Sequence, residues 1–212
     1  KPDYIFGLMA YMKKDYETAL LHFVTLANEG DAKAQYALGE MYDFGEGVLE
    51  NDKTAVKWYT KAAEQGLATA QYNLGVMYDN GYGVLENDKT AVKWYMKAAE
   101  QAHAKAQYNL GTMYDNGYGV LENDKTAVKW YTKAAEQGLA DAQSNLGLMY
   151  ANGEGVLTND IKAYMWWNIA AFNGHKDAAS NKDIITKQMT NEQIAKAQEL
   201  SQRCLDSGYK DC

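Results

Sequence analysis

"MYDNGYGVLENDKTAVKWY" runs from Met77 to Tyr95 and returns letter for letter from Met113 to Tyr131. A catalytic site needs one asymmetric cluster of unlike groups, so a verbatim copy points instead to a unit that stacks on itself. Further out, "AQYALGEMYDFGEGV" at Ala34 recurs as "AQYNLGVMYDNGYGV" at Ala70, "AQYNLGTMYDNGYGV" at Ala106 and "AQSNLGLMYANGEGV" at Ala142, a constant step of 36 residues (70 − 34). A fixed period in the range of about 20–50 residues marks a solenoid or array.

Each copy reads as two helices. In the first, Ala70, Leu74, Met77 and Tyr78 recur at i, i+4, i+7 and i+8, which is one buried face. In the second, Ala91, Tyr95 and Ala98 form a stripe widened by Val92, Trp94 and Ala99, so this helix is covered on two sides. Gly81 and Gly83 supply positive φ beyond the first helix, and Asp88 is placed to cap the second. The same parts recur at Gly45, Gly47 and Asp52, at Gly117, Gly119 and Asp124, and at Gly153, Gly155 and Asp160. Gly75 lies inside a helix, as do Gly39, Gly111 and Gly147, at a cost of about 1 kcal/mol relative to Ala, and close approach of a neighbouring helix is the expected compensation. One hairpin leaves an apolar face in water, so the units must stack.

The pattern A-x-x-x-LG-x-MY-x-x-G-x-GV, followed by D-x-x-x-A-x-x-WY-x-x-AA-x-x-G, resembles the Sel-1-like repeat, a cousin of the tetratricopeptide repeat. The resemblance implies an all-α fold, an α/α solenoid wound as a right-handed superhelix of about six hairpins. One repeat domain would fill 1–212: a short-loop repeat at 1–32, repeats at 33–68, 69–104, 105–140 and 141–174, and a capping hairpin at 175–212. In the first unit Gly7 and Ala19 lie 12 apart, against 16 for Gly39 and Ala55, so its inter-helix loop has lost four residues. After Gly174 the LG signature ends, and Ile184, Ile185 and Met189, then Ile194, Ala197 and Leu200, give the apolar side of a closing hairpin with a more polar outer face.

Composition removes several classes. The chain has no apolar run approaching the ~20 residues of a membrane span, so no membrane insertion is expected. A net charge of −7 with no Lys/Arg cluster argues against nucleic acid. No charged-then-apolar leader precedes the repeats, a pattern compatible with one already removed. The G-x-G pairs lack a following Lys-Ser/Thr and recur in every unit, which makes them turns rather than phosphate loops. Asp79, Asn80 and Glu86 lack the alternating oxygens of a calcium loop, and Thr90 stands where a closing Glu is needed. His22, His103 and His175 occupy non-equivalent places, so no metal and no cofactor is expected. Trp58, Trp94, Trp130 and Trp166 read as core wedges between units.

By analogy with the tetratricopeptide fold, the resemblance assigns a concave groove to Tyr36, Glu40, Asp43 and Phe44, then Tyr72, Val76, Asp79 and Asn80, then Tyr108, Thr112, Asp115 and Asn116. Lys33, Thr69 and Lys105 rim it. Tyrosine supplies apolar area with a hydroxyl and the amides pair with peptide groups, so the ligand implied is a protein or an extended peptide. The alternative is that these residues only pack adjacent helices together.

Cys204 and Cys212 are the only cysteines. In one continuous helix they would stand about 12 Å apart, too far for a bridge, whereas a reversal at Gly208 permits a disulfide. Two free thiols are the alternative. The tail is similar to those of bacterial exported members of the family, which implies a periplasmic or secreted protein, with the cytoplasm as the other possibility. The resemblance implies a monomeric adaptor without catalysis. The rival readings are a hydrolase acting on cell-wall or β-lactam compounds, as attributed to relatives with a cysteine pair in each repeat, which this chain lacks, and a purely structural spacer.

Overall fold

The computed structural model describes residues 2–212, and among these the regular elements are twelve α-helices with no strand. They fall into two compact units, Lys1–Gln101 and Ala102–Cys212. The first holds α1 (Tyr4–Met12), α2 (Tyr16–Asn28), α3 (Ala32–Phe44), α4 (Asp52–Glu64), α5 (Ala68–Asn80) and α6 (Asp88–Glu100). The second holds α7 (Ala104–Asn116), α8 (Asp124–Ala135), α9 (Ala140–Asn152), α10 (Asp160–Phe172), α11 (Ala178–Thr186) and α12 (Asn191–Asp206). Helices α1 and α2, α3 and α4, α5 and α6, α7 and α8, and α9 and α10 pair as hairpins. In the first unit α3 also packs on α2 and α5 on α4, and in the second α9 packs on α8 while α10 receives both α11 and α12. Each unit is thus an α/α solenoid stack, as the repeat pattern predicts.

The turn that joins the two helices of a repeat is set by glycine. Gly81 closes α5 in the left-handed region at φ 72°, where its N–H reaches the Met77 carbonyl. Gly83, at φ 66°, is pressed against the start of α4, and a Cβ there would lie 2.4 Å from the Asp52 carbonyl carbon. The connection in the first hairpin is only Lys13–Asp15, with Lys14 at φ 62°, in agreement with the shortened loop expected there. Between repeats, Gly30, Gly66, Gly138 and Gly174 adopt positive φ, whereas Ala102 takes the same conformation at φ 61° despite its Cβ.

The caps differ from expectation. Asn51, Asn87, Asn123 and Asn159, rather than the aspartates that follow them, cap the second helices, each accepting a hydrogen bond from the backbone N–H three residues on. Extended backbone at the asparagine, φ −157° for Asn87, lets its short side chain fold back on the helix start. Asp52, Asp88, Asp124 and Asp160 become the first helical residues, where a carboxylate still meets the positive end of the helix dipole.

The mid-helix glycines are notches for aromatic rings. A Cβ on Gly39, Gly75 or Gly111 would come within 2.6, 2.6 and 2.7 Å of the rings of Tyr59, Tyr95 and Tyr131 respectively. Phe23 fills the same place over Gly7, and Trp167 over Gly147. The backbone lies against the ring, and that contact is the compensation for glycine inside a helix. These three tyrosines are fully buried. The tryptophans one residue earlier are not uniformly core: Trp130 and Trp166 are buried, but Trp58 and Trp94 are only half-buried, with Lys61 and Lys97 ammonium groups 4.1 and 4.8 Å from the indole centres. The notch admits one aromatic per repeat, and the residue following tryptophan occupies it.

Hairpins are joined by buried amides. Gln35 donates to the Ala27 carbonyl at 3.1 Å, Gln71 to Ala63 at 3.0 Å and Gln143 to Ala135 at 3.0 Å. The carbonyl oxygens of Gln35, Gln71, Gln107 and Gln143 accept from Gln65, Gln101, Gln137 and Asn173 at 2.7–2.8 Å. A buried amide satisfied on both sides fixes register as well as stability. At the end of the second unit, Tyr209 donates to Asn173 at 2.8 Å, which closes this ladder. Cys204 and Cys212 form a disulfide with Cα atoms 4.7 Å apart, and Arg203 pairs with Asp211 at 2.9 Å beside it. In the closing segment, where α11 and α12 each pack on α10 rather than on each other as a hairpin would, Ile185, Met189 and Ala197 are buried as expected, but Ile184 is exposed, since adjacent residues on one helix cannot both face α10.

Candidate functional site

The residues assigned to the groove lie on the first helix of each repeat. Tyr36, Glu40, Asp43 and Phe44 share one face of α3 by their spacing, Tyr72, Val76, Asp79 and Asn80 share one of α5, and Tyr108, Thr112, Asp115 and Asn116 share one of α7. Within each repeat the structure brings the tyrosine and the aspartate to the buried tyrosine of the second helix. Tyr36 and Tyr59 have ring centres 5.7 Å apart, Tyr72 and Tyr95 6.0 Å, and Tyr108 and Tyr131 5.8 Å. The phenols of Tyr59, Tyr95 and Tyr131 donate to Asp43, Asp79 and Asp115 at 3.0, 3.0 and 3.1 Å.

The aspartates are therefore anchors for the second helix as well as members of the face. Burial pushes the carboxyls of Asp43, Asp79 and Asp115 above their usual range, and nearby carboxylates add to this, while the tyrosine hydrogen bond opposes it. Glu40 is likewise raised by burial and accepts from the Tyr36 phenol at 2.6 Å. Burial also raises the phenols of Tyr36, Tyr72 and Tyr108.

The remaining assigned residues are looser. Phe44 is exposed on its helix end, and Val76 is half-buried. Asn80 and Asn116 are exposed and donate to the carbonyls of Val76 and Thr112, each at 2.9 Å, tying off the last turns of their helices. Thr112 accepts from Tyr131 at 3.3 Å. Lys33, Thr69 and Lys105 are exposed.

One member was missed in the sequence. Asn73 of the next hairpin stands beside the phenols of Tyr36 and Tyr59 and opposes the rise that burial gives them, and Asn145 does the same for Tyr108 and Tyr131. The amide thus faces the tyrosine pair of the preceding repeat. The signal was the recurrent Asn two residues before the helix glycine, at Asn73, Asn109 and Asn145, passed over because it falls outside the spacing taken from the tetratricopeptide fold.

Among the described residues no group of three or more His, Cys, Asp or Glu is placed to hold a metal ion, and no helix is long and apolar enough to cross a membrane. His22 accepts from the Asp3 backbone and His103 caps α7, while His175 stands 3.8 Å from Asp141.

A model of the Sel1 repeat matches five consecutive segments, residues 4–31, 32–67, 68–103, 104–139 and 140–175. The chain belongs to the Sel1 repeat family. Sel1 repeat proteins are in general protein-interaction scaffolds, typically without catalytic activity. Among solved structures, the chain is similar to a protective antigen of uropathogenic Escherichia coli displaying an SLR fold, with 38% identity over 91% of this chain and a TM-score of 0.83. It spans 42% of that protein's length. A Sel1 repeat protein from Oxalobacter formigenes is 41% identical over 84% of this chain and 71% of its own, with a TM-score of 0.79. Cysteine rich protein B of Helicobacter pylori, at 24% identity over 62% of this chain and 94% of its own with a TM-score of 0.50, shares the fold. No curated protein matches the sequence.

Proposed function

We propose that this Sel1 repeat chain is a non-catalytic scaffold that binds an extended, basic segment of a partner protein along the first-helix faces of neighbouring repeats within a unit. The observation that carries this reading is the composition of those faces: half-buried Tyr36, Tyr72 and Tyr108 beside Glu40, Asp43, Asp79 and Asp115, with no lysine or arginine in the set. Aromatic anchors next to carboxylates whose charge is only partly solvated suit Lys or Arg side chains on a peptide whose backbone can pair with amides. The lysines of the repeats are concentrated on the second helices instead, at Lys53, Lys57 and Lys61 of α4 and their copies.

The test is affinity capture of the partner from a bacterial envelope extract, followed by binding measurements on substituted chains. Tyr36→Ala together with Tyr72→Ala, both in the first unit, is expected to weaken binding at least about tenfold, or ~1.4 kcal/mol. Because both rings also touch buried tyrosines, the Tyr→Phe pair serves as control: it keeps the packing and should hold the melting midpoint. Unaltered affinity in a double alanine variant that unfolds early would assign these residues to packing alone.

We further infer an oxidising compartment, periplasmic or extracellular. The Cys204–Cys212 pair supports it, since such bridges persist where thiols are not kept reduced. Protein recovered from its host should resist alkylation at both positions until reduced; quantitative labelling of both thiols beforehand would overturn the assignment.

A further inference from the structure

We propose that the outward faces of α4 and α6 together seat an acidic helix of a partner protein. Lys53, Lys57 and Lys61 stand at i, i+4 and i+8 on α4, and Lys89, Lys93 and Lys97 repeat the row on α6. All six are exposed. Among the described residues none of the six is ion-paired. Lys61 and Lys97 instead lie over the half-buried indoles of Trp58 and Trp94.

The two rows form one surface, because α6 is tied to α4 at three levels. Ahead of α6, Gly83 presses on the start of α4, where an added Cβ would lie 2.4 Å from the Asp52 carbonyl carbon and 2.6 Å from the Lys53 nitrogen. At mid-helix, Trp94 packs against the cluster that holds Ala55, Val56 and Tyr59 of α4. At the far end, the Gln101 amide donates to the Gly66 carbonyl, just beyond α4, at 2.9 Å. The helices therefore run side by side in the same direction. Their sequences, DKTAVKWYTKAAE and DKTAVKWYMKAAE, put the lysines of both at the same register.

The chain itself seats a helix on this face elsewhere. Three repeats on, Met165 and Ile169 of α10 hold the places of Lys57 and Lys61. Both are buried in one cluster with Cys204 of α12, and Leu200 and Leu205 of α12 pack against it. On α10 the row is apolar and α12 covers it, whereas on α4 and α6 it is cationic and exposed. The corresponding residues of α2 are Glu17, Leu21 and Thr25, so the fold does not require lysine there.

A cationic row calls for an anionic occupant. From first to last lysine each row spans about 12 Å, and carboxylates one turn apart on a facing helix fall at the same spacing. Exposed Glu50 and Glu64 stand at the two ends of the α4 row in sequence, as Glu86 and Glu100 do for α6. These carboxylates oppose a broad anionic lipid surface or a continuous phosphate backbone, but a helix of about three turns fits between them. This acidic helix is distinct from the basic segment assigned to the first-helix faces, and its binding does not depend on that assignment.

Fluorescence anisotropy of a labelled peptide titrated with the full 212-residue chain, its disulfide intact, tests the proposal. The probe is an end-capped peptide of about 20 residues with glutamate at every fourth position in alanine, long enough to hold a helix in water. Its control carries glutamine in place of glutamate. The glutamate peptide should bind saturably and weaken at least about tenfold between about 50 and 500 mM salt, while the glutamine peptide should not bind. Lys57→Glu with Lys93→Glu should weaken the glutamate peptide at least about tenfold, whereas Lys129→Glu on α8, in the second unit, should change it less than about twofold. Circular dichroism checks that the variants remain folded, and Lys57→Gln with Lys93→Gln gives the same readout, with a smaller loss, if charge reversal disturbs the helices. Absence of saturable binding, or an equal loss from Lys129→Glu, would overturn the proposal. So would phosphatidylglycerol vesicles or a DNA duplex bound more tightly than the peptide and released by the same two substitutions.

Discussion

Tyr95→Ala is expected to lower the stability of the first unit by about 3–5 kcal/mol, the range for deleting a buried aromatic side chain. The ring is fully buried, lies against the Gly75 backbone, and carries the phenol that donates to Asp79 at 3.0 Å. Its loss leaves a cavity and removes the donor from a half-buried carboxylate. Tyr95→Phe separates the two contributions and should cost only about 1 kcal/mol, the net worth of one hydrogen bond. Trp94→Ala, one residue away, should cost about 1–2 kcal/mol, because its indole is half in water and has a lysine rather than a core on one face. Denaturant unfolding of the three variants reads the order directly. If Trp94→Ala proves the most damaging, the glycine notch is not the centre of the repeat.

Gly83→Ala should cost about 3 kcal/mol. An alanine would be held at φ 66°, worth about 1–2 kcal/mol, and its Cβ would meet the Asp52 carbonyl carbon at 2.4 Å. The obstacle is backbone at the start of α4, which cannot swing aside as a side chain can, so overpacking adds about 1–3 kcal/mol. Gly81→Ala supplies the comparison. Its φ is 72°, but the nearest atoms to a Cβ lie at 3.4 Å, an ordinary contact, so only the backbone strain of about 1–2 kcal/mol remains. Thermal or urea unfolding in which both cost the same would show that conformation alone, without close approach of α4, requires glycine at position 83.

Had the chain been read only for helices and turns, little would have been lost. The hairpins, the glycine stops and the shortened first loop follow from residues near one another in sequence, where period and turn chemistry act directly. The errors arose where two or more residue types could play one part. Asn87 and Asp88 can both cap a helix, and the choice was made by extended backbone at the asparagine, which depends on how the preceding turn lands. Trp94 and Tyr95 are both large and aromatic, and the choice was made by which of them points at Gly75 on a different helix. Asp79 could be read as a contact residue on a face, yet its partner Tyr95 lies sixteen residues away across the turn. Asn73 escaped notice because the phenols it faces, Tyr36 and Tyr59, belong to the preceding repeat.

The sequence by itself determined that this protein is a stack of helix hairpins, because a repeated apolar stripe interrupted by glycine at fixed intervals has one economical way to leave water. Only the tertiary structure decided which aromatic enters each notch, which amides bind hairpin to hairpin, and which carboxylates give up part of their hydration to hold a phenol. Those choices rest on distances of a few ångströms between residues in different helices, where steric fit and the cost of an unsatisfied buried polar group select among side chains that composition treats as equivalent.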